Sequence, residues 1–460
     1  PQKFCKQAVF FLNYIYFFSS YQQKSYIRFY MNISKKRNVG KVNKETLCFL
    51  PIMAAVFYLT FGAPGSFLKQ VLADGIDWWV LRLEKMLIWA DVNATLRTLV
   101  IDGICAGIGS VLSFLPVIGL LFLCLFTLEE CGYMEKVSQD MDRVFRPLGL
   151  PGRAIVPLLS GFGCSAAAIL AAGEIPGRRA RLRTIFLIPF MSCSAKIPIY
   201  GMIAAALFPQ SAAAVIVFLY FFGIAMAVLL ALATHKRSHK ENDGAGCAGC
   251  NGQPSSAPAC RGNCAACPVH TPAHRQVSHV LLRTWENMRG FMKKAFTVIF
   301  LASAIIWLLE NFDCTFHLAI SPDRSILASI GRHAAPFFAP LGFGDWRAAT
   351  ALLAGLSAKE AVVSTLMVLS LTVGTGGIGT GGAGSGAAAV SVLSEIFTPL
   401  SALSFLVFCL LYVPCAATLA TVYKVTGSRK YAAGMAVFQT ALAWLAAFAV
   451  YHIGTLVGLN

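Results

Sequence analysis

Long runs of apolar side chains are the feature that most constrains the fold of this chain. A helix needs about 20 consecutive, mainly apolar residues to cross the hydrocarbon core of a bilayer. Seven stretches approach or exceed that length: 47–62, 104–128, 184–207, 211–234, 294–309, 399–423 and 432–456. Only 13% of the residues are charged, about half the proportion found in soluble proteins. We therefore predict an all-α polytopic membrane protein, and these spans argue against a soluble enzyme.

The formal net charge of +17 is explained by the distribution of basic residues in a membrane protein. Lys and Arg accumulate in the cytoplasmic loops of membrane proteins. Basic clusters occur at 35–44, 177–183, 236–240, 283–294 and 424–430. All of them fall on the cytoplasmic side if the apolar segments 155–172 and 348–372 enter the membrane and return, which leaves the C-terminus outside. The pattern indicates the cytoplasmic (inner) membrane, with the lipid bilayer and not nucleic acid as partner.

Two short motifs recur in the same order in each half of the chain. LLSGFGC at 158–164 resembles LLAGLSA at 352–358, and PFMSCSAKIP around Cys193 pairs with LYVPCAATLA around Cys415. By the topology above, the first motif enters the membrane from opposite sides in the two halves. Inverted repeats of this kind frame transport sites near the membrane midplane, where helices break. We predict two inverted gate-type repeats with broken or re-entrant helices.

The second motif places polar ligands where a helix is interrupted. Pro189 and Pro198 remove backbone donors and disturb the hydrogen-bond ladder, and between them lie Ser192, Cys193 and Ser194. With Cys164 and Cys415 of the other motifs, these residues form a candidate pathway of sulfur, oxygen and freed carbonyl ligands. The alternative is a kinked helix in which the serines bond to their own backbone and the cysteine is a small hydrophobe.

Sulfur ligands favour softer transition metals over Mg or Ca. The candidate ligands by themselves therefore indicate a transporter for a transition metal. Ionisable residues near a membrane interior are functional candidates by default. Glu129, Glu130 and Glu360 sit at the edges of apolar segments and join the candidate pathway residues. For Glu360, a simple interfacial pair with Lys359 is the competing interpretation.

Longer motifs resemble one membrane-protein family. These are LEECGYMEKVSQDMDRVFRPLGLPGRAIVPLLSGFGCSAAAIL at 128–170, RLRTIFLIPFMSCSAKIPIYG at 181–201, VLLRTWENMRGFMKKAFTVIF at 280–300, LLAGLSAKEAVVSTL at 352–366 and LLYVPCAATLATVYKVTGSRKYA at 410–432. They resemble the membrane half of the ferrous iron transport protein B (FeoB) family. The resemblance implies two gate-type repeats around an Fe(II) pathway, with Fe(II) as the substrate. It implies pathway roles for Cys164, Ser192, Cys193, Ser194, Cys415 and Glu129, with Glu130 beside it.

The chain departs from the family pattern in two places. Family members carry an N-terminal GTP-binding domain, but no G-x-x-x-x-G-K-[ST] phosphate loop occurs in these residues. We therefore expect a transporter without a nucleotide site of its own, and no enzyme activity. Its expected partners are a separate G domain or a small cytoplasmic Feo-type accessory protein, and a second copy in a homo-oligomer. The second departure is Ser165-Ala166-Ala167 after GFGC, where a larger apolar or proline-containing sequence is expected.

A cysteine-rich linker separates the halves. Its thiols are Cys247, Cys250, Cys260, Cys264 and Cys267. Paired C-x-x-C units supply sulfurs for tetrahedral Zn or for an Fe–S centre, and we predict that the linker binds such a metal in the cytoplasm. The alternative is a disordered tether, because Gly, Ala, Ser and Pro dominate between the cysteines.

The predicted organisation has an atypical segment 1–46 without an assigned function, a first membrane repeat with gate at 47–235, the linker at 236–279 and a second repeat with gate at 280–460. The favoured function is that of an Fe(II) permease core. A membrane-anchored metal sensor, with the linker as its active part, is a second hypothesis. A gate-domain transporter for an organic solute such as a nucleoside is a third, disfavoured by the paired cysteines.

Overall fold

Helices make up most of the described part of the protein. The computed structural model describes residues 52–239, 282–289 and 300–371, each with short gaps, and 393–458. No β-strand element occurs within these ranges. Segment 1–46, the five linker cysteines and the glycine-rich stretch 374–389 lie outside the described residues.

The two halves are built from helices of very unequal length. The helices of the first half are α1 (Ala63–Trp89), α2 (Ala106–Glu130), α3 (Tyr133–Phe145), α4 (Ile155–Gly163), α5 (Ser165–Ala172), α6 (Arg178–Leu187), α7 (Ile197–Leu207) and α8 (Ala212–His239). Those of the second half are α9 (Ile326–Phe338), α10 (Trp346–Ala354), α11 (Ala361–Leu371), α12 (Pro399–Leu411), α13 (Ala416–Thr426) and α14 (Arg429–Leu456). The second set is preceded by an apolar helix over Phe300–Asn311.

Four helical segments in the described part are long and apolar enough to cross a membrane. They are Arg178–Leu207, Ala212–Thr234, Pro399–Thr426 and Arg429–Leu456. These match the predicted spans 184–207, 211–234, 399–423 and 432–456, so the prediction of an all-α membrane protein is confirmed. Shorter apolar helices at Leu115–Leu128 and Phe300–Asn311 correspond to two further predicted spans, and the first predicted span, 47–62, is only partly described.

Helix α1 is absent from the sequence prediction. It combines apolar residues such as Trp78 and Trp79 with charged ones such as Asp77 and Arg82, so no long apolar run marks it. Both tryptophans are exposed, and the guanidinium of Arg82 stands 4.4 Å from the ring centroid of Trp78. Tryptophan beside a cation suits the membrane–water interface, where one end of the side chain is apolar and the other polar.

Helices α12, α13 and α14 form a tight antiparallel unit in the second half. The turn between α13 and α14 contains Gly427, whose φ of +68° is a left-handed conformation that glycine adopts without strain. Ser428 caps α14, because its side chain accepts a hydrogen bond from the Tyr431 amide. Further along, the Ser404 hydroxyl donates to the Ala447 carbonyl at 3.1 Å. These contacts fix the register in which α14 packs along α13 and α12.

Two basic segments that lie far apart in sequence meet at one end of the molecule. The Tyr431 hydroxyl donates to the Leu182 carbonyl at 2.9 Å, which joins the start of α14 to α6. In the same region Arg183 donates to the Gly149 carbonyl at 3.3 Å. The basic stretches 177–183 and 424–430 are therefore neighbours in the fold.

Candidate functional site

The first helix break lies at Cys164, between α4 and α5. Cys164 has extended backbone angles (φ −145°, ψ 117°), so α4 ends and α5 begins on either side of it. The Gly163 carbonyl, freed at the end of α4, accepts a hydrogen bond from the Ser194 hydroxyl at 2.9 Å. Ser165, Ala166 and Ala167 form the first turn of α5 and are buried, so this departure from the family pattern fits within a closely packed helix.

The second break interrupts the span Arg178–Leu207. Met191 (φ −70°, ψ 136°) and Cys193 (φ −73°, ψ 160°) are both extended, and helical structure resumes at Ser194. The Ser192 hydroxyl is buried and lies 3.2 Å from the hydroxyl of Tyr200. The predicted interruption between the two prolines is therefore present, and the serines bond outside their own local backbone.

The third break lies between α12 and α13. Tyr412 (φ −65°, ψ 169°) and Cys415 (φ −59°, ψ 158°) are extended, and Pro414 between them has no amide donor. The sulfur of Cys415 lies 3.2 Å from the Thr418 hydroxyl. Because α12 ends here, the carbonyls of its last residues have no partner within the helix.

The second and third breaks make similar contacts in the two halves, through a side chain in the first and through the backbone in the second. In the first half, Ser194 directly follows Cys193, and its hydroxyl donates to the carbonyl of Gly163, the last residue of α4. In the second half, Ala416 directly follows Cys415, and its amide donates at 3.0 Å to the Leu356 carbonyl, two residues beyond the end of α10. This correspondence supports the internal repeat that the paired motifs predict.

The three break cysteines lie in one region of the fold. Cys164 lies near Cys193 and Cys415, and Cys193 lies near Glu360. All three cysteines are partly accessible, whereas Cys409, in the unbroken part of α12, is buried. Distant parts of the sequence thus bring together four of the predicted pathway residues, although no cluster of three or more Cys, His, Asp or Glu side chains within the described residues is arranged to hold a metal ion.

The other predicted site residues divide into two groups. Ser192 and Ser194 lie at the second break with their hydroxyls engaged. Glu129 and Glu130 end α2, and their side chains lie outside the described part, as do the linker cysteines.

Two lysines at the site were not among the predicted pathway residues. Lys196 and Lys359 are each only 3% exposed. The Lys196 ammonium donates to the Leu410 carbonyl at 2.7 Å and to the Pro189 carbonyl at 3.4 Å. Lys359 is buried in the protein: its ammonium donates to the Val413 carbonyl at 2.8 Å and stands 3.1 Å from the ring centroid of Tyr412. The signal in the sequence is the tripeptide Ser-Ala-Lys, which occurs at 194–196 and at 357–359.

Further polar side chains are buried or partly buried in the second half. Gln439 is fully buried in α14, and neither its amide oxygen nor its nitrogen has a partner among the described residues; the same holds for the Tyr412 hydroxyl. The turn at Gly427 and the Ser404–Ala447 bond both place Gln439 level with the break in the antiparallel unit. Glu310, at the end of an apolar helix, accepts a hydrogen bond from Thr365 in α11 at 3.1 Å.

A cavity of about 310 Å³ lies among α2, α3, α4 and α5. Its walls are largely apolar, with Arg153 and Glu174 also contributing. None of the break cysteines lines it, but Ser160 and Ala167, on either side of the first break, do.

Comparison with known proteins shows that the sequence around the breaks matches a known family. Residues 111–207 and 292–429 match the family described as Gate, nucleoside recognition. These segments contain all three break cysteines and both buried lysines. No solved structure matches the chain significantly.

Curated relatives carry a consistent name. The chain is 34% identical over 425 residues to the Fe(2+) transporter FeoB of Staphylococcus aureus, a match covering 91% of this chain and 59% of that protein. It is 33% identical to the Fe(2+) transporter FeoB of Methanocaldococcus jannaschii, covering 89% of this chain and 57% of that protein. A Porphyromonas gingivalis relative, 30% identical over 89% of this chain and 50% of its own length, is named an Fe(2+) transport protein A/Fe(2+) transporter FeoB fusion protein. The chain thus spans between half and three fifths of these relatives.

Proposed function

This chain belongs to the FeoB family, of which it is a membrane portion with a Gate domain, and from this premise we propose that it forms the Fe(II) pathway of a transporter in the cytoplasmic membrane. In this proposal the two halves are inverted gate repeats, and the polypeptide crosses the membrane several times. The observation that carries the proposal is the convergence of Cys164, Cys193 and Cys415 at three separate helix breaks.

The chemistry of the breaks suits a divalent transition metal in transit. Thiols bind Fe(II) more readily than they bind Mg or Ca, and helix ends supply carbonyl oxygens as additional ligands. A permeating ion must also leave, so a set of ligands that assembles only as the gates move is better suited to transport than a permanent closed cage. Cys164, Cys193 and Cys415 come from helix ends that belong to different elements, so small movements of those elements change their separation.

The proposal predicts that Cys193 contributes to Fe(II) transport. Replacing Cys193 with Ser removes a soft ligand at the second break, and we expect Fe(II) uptake into proteoliposomes to fall about tenfold, the effect of roughly 1.4 kcal/mol on the transition state. The matched control is Cys124→Ser, because Cys124 is also partly accessible but lies within α2, away from the breaks. Equal uptake by the two variants would contradict the ligand role of Cys193.

The same vesicles distinguish the competing functions. Metal-free uptake of a labelled nucleoside, without Fe(II) uptake, would favour an organic-solute transporter and is the outcome to which the description of the Gate family points. Retained metal binding by the linker without any flux would favour a membrane-anchored sensor. An iron pathway is expected to give Fe(II) flux into the vesicles and no flux of Mg(II).

We also propose cytoplasmic partners. The Porphyromonas gingivalis relative joins transport protein A and FeoB in one named fusion protein, which supports a small accessory protein acting on this portion. A G domain is the other proposed partner, and its expected contact surfaces are residues 129–153 and 280–294. The linker cysteines are proposed to bind Zn or an Fe–S centre on the same side.

A further inference from the structure

Two buried ammonium groups occupy the carbonyl oxygens of the third break. Lys196 reaches Leu410 and Lys359 reaches Val413, at 2.7 Å and 2.8 Å respectively. One lysine follows the second break of the first half, and the other precedes α11 in the second half. The break between α12 and α13 is therefore held by a cation from each repeat, and Cys415 lies two residues beyond Val413.

These contacts are costly unless the charges have strong partners. An ammonium group has three N–H donors and no acceptor, and burial of its charge is unfavourable without compensation. Carbonyl oxygens freed at the helix end meet part of that demand, and the Tyr412 ring face supplies a cation–π contact to Lys359. The arrangement therefore stabilises the break in one conformation.

The same oxygens cannot serve two cations together. A divalent ion at the Leu410 or Val413 carbonyl would lie within a few ångström of an ammonium group, in surroundings where water screens charges poorly. Lys196 and Lys359 also lie near Cys193 and Cys415, the sulfur ligands of the proposed pathway. Metal and lysine thus compete for one set of ligands.

We propose that Lys196 and Lys359 are tethered cations that close the pathway at the third break, and that Fe(II) binding there requires their withdrawal. This inference rests on the proposed function. The lysines act as positioning residues for the broken segment, and they bias the site against occupancy until the gates move. A ligand shifts such an equilibrium only through its different affinity for the two states.

The test compares Fe(II) binding by the chain in nanodiscs under anaerobic conditions. Lys196→Met and Lys359→Met keep the aliphatic stem and remove the charge, so we expect each to lower the apparent Kd for radiolabelled Fe(II) about tenfold, within the usual range of site-to-site coupling. The matched control is Lys85→Met, because Lys85 is an exposed residue of α1. The control Kd should equal that of the wild type.

A second measurement covers the case in which the variants fail to fold. In the unmodified protein, saturating Fe(II) should increase acetylation of Lys196 and Lys359 by a membrane-permeant reagent, read by mass spectrometry, while Lys85 stays constant. An unchanged or raised Kd in folded variants, or unchanged acetylation in the wild type, would overturn the role of the lysines and leave the iron pathway intact. Absence of Fe(II) binding from the wild type and from every variant would instead refute the proposed function.

Discussion

Gly355 shows how narrowly single residues define the third break. It belongs to the LLAGLSA motif, and a Cβ atom built on it would overlap Cγ2 of Val362 and the hydroxyl oxygen of Tyr412. The ring of Tyr412 also contacts the Lys359 ammonium. The glycine therefore permits the close approach of the α10–α11 connection to the break, which in turn positions the residues before Cys415.

We expect Gly355→Ala to destabilise the protein. Overpacking of this kind costs about 1–3 kcal/mol, which should appear as a lower melting temperature in detergent. Gly434→Ala is the matched control: Gly434 lies in α14 with nothing near the position of its missing Cβ. There, alanine should stabilise the helix by up to about 1 kcal/mol. Equal melting temperatures for the two variants would show that the contact at Gly355 is readily relieved.

At the scale of helices, the breaks determine which polar groups face each other. The antiparallel register of α12 and α14, set by Ser404 and Ala447, brings Gln439 level with the end of α12. Neighbouring positions on the same buried face are Met435 and Ala443. A carboxamide among such residues is unfavourable unless it has hydrogen-bond partners.

Replacing Gln439 with Leu should therefore raise stability. Each unpaired buried polar group costs about 1–3 kcal/mol, so we expect a higher melting temperature for this variant. Thr440→Val serves as the control, because the Thr440 hydroxyl already donates to the Ala436 carbonyl of its own helix at 2.9 Å. Its melting temperature should stay near that of the wild type. Destabilisation by Gln439→Leu would reveal a bonded role for the carboxamide.

At the scale of the whole molecule, the two halves depend on each other. Lys196 from the first half bonds to Leu410 of the second, and Tyr431 of the second half bonds to Leu182 of the first. The buried core also runs through both, from Leu150 to Ala447. The second break in one half and the third break in the other are therefore packed against each other through direct contacts.

We predict that residues 1–460 hydrolyse no GTP and that GTP does not alter their Fe(II) flux. Phosphoryl transfer needs a loop that cradles the phosphates, a Lys and a hydroxyl ligand for Mg²⁺, and these residues contain no matching string. The measurement is phosphate release and flux in proteoliposomes supplied with GTP. Addition of a G domain from a family relative should introduce GTP dependence. GTP-stimulated flux by the chain alone would contradict the prediction.

The sequence by itself determined the helical class, the four helical segments long and apolar enough to span a membrane, and the positions of the breaks. The helices depend on the length of the apolar runs, and the breaks depend on Pro, Gly and Ser residues close together in sequence. Both can therefore be predicted from local sequence alone. The paired motifs also identified Cys164, Cys193 and Cys415 as candidates. Helix α1 was missed because its charged residues interrupt the apolar pattern.

Only the tertiary structure decided what the breaks contact. The bond from Lys196 to Leu410 spans 214 residues, and that from Lys359 to Val413 spans 54. The Ser-Ala-Lys tripeptides do not reveal whether their lysine is buried in the protein or lies at the membrane interface. The same neighbouring residues are compatible with either location. The packing of the two halves removes both lysines from water and places freed carbonyls within reach, and that arrangement gives these residues their proposed role.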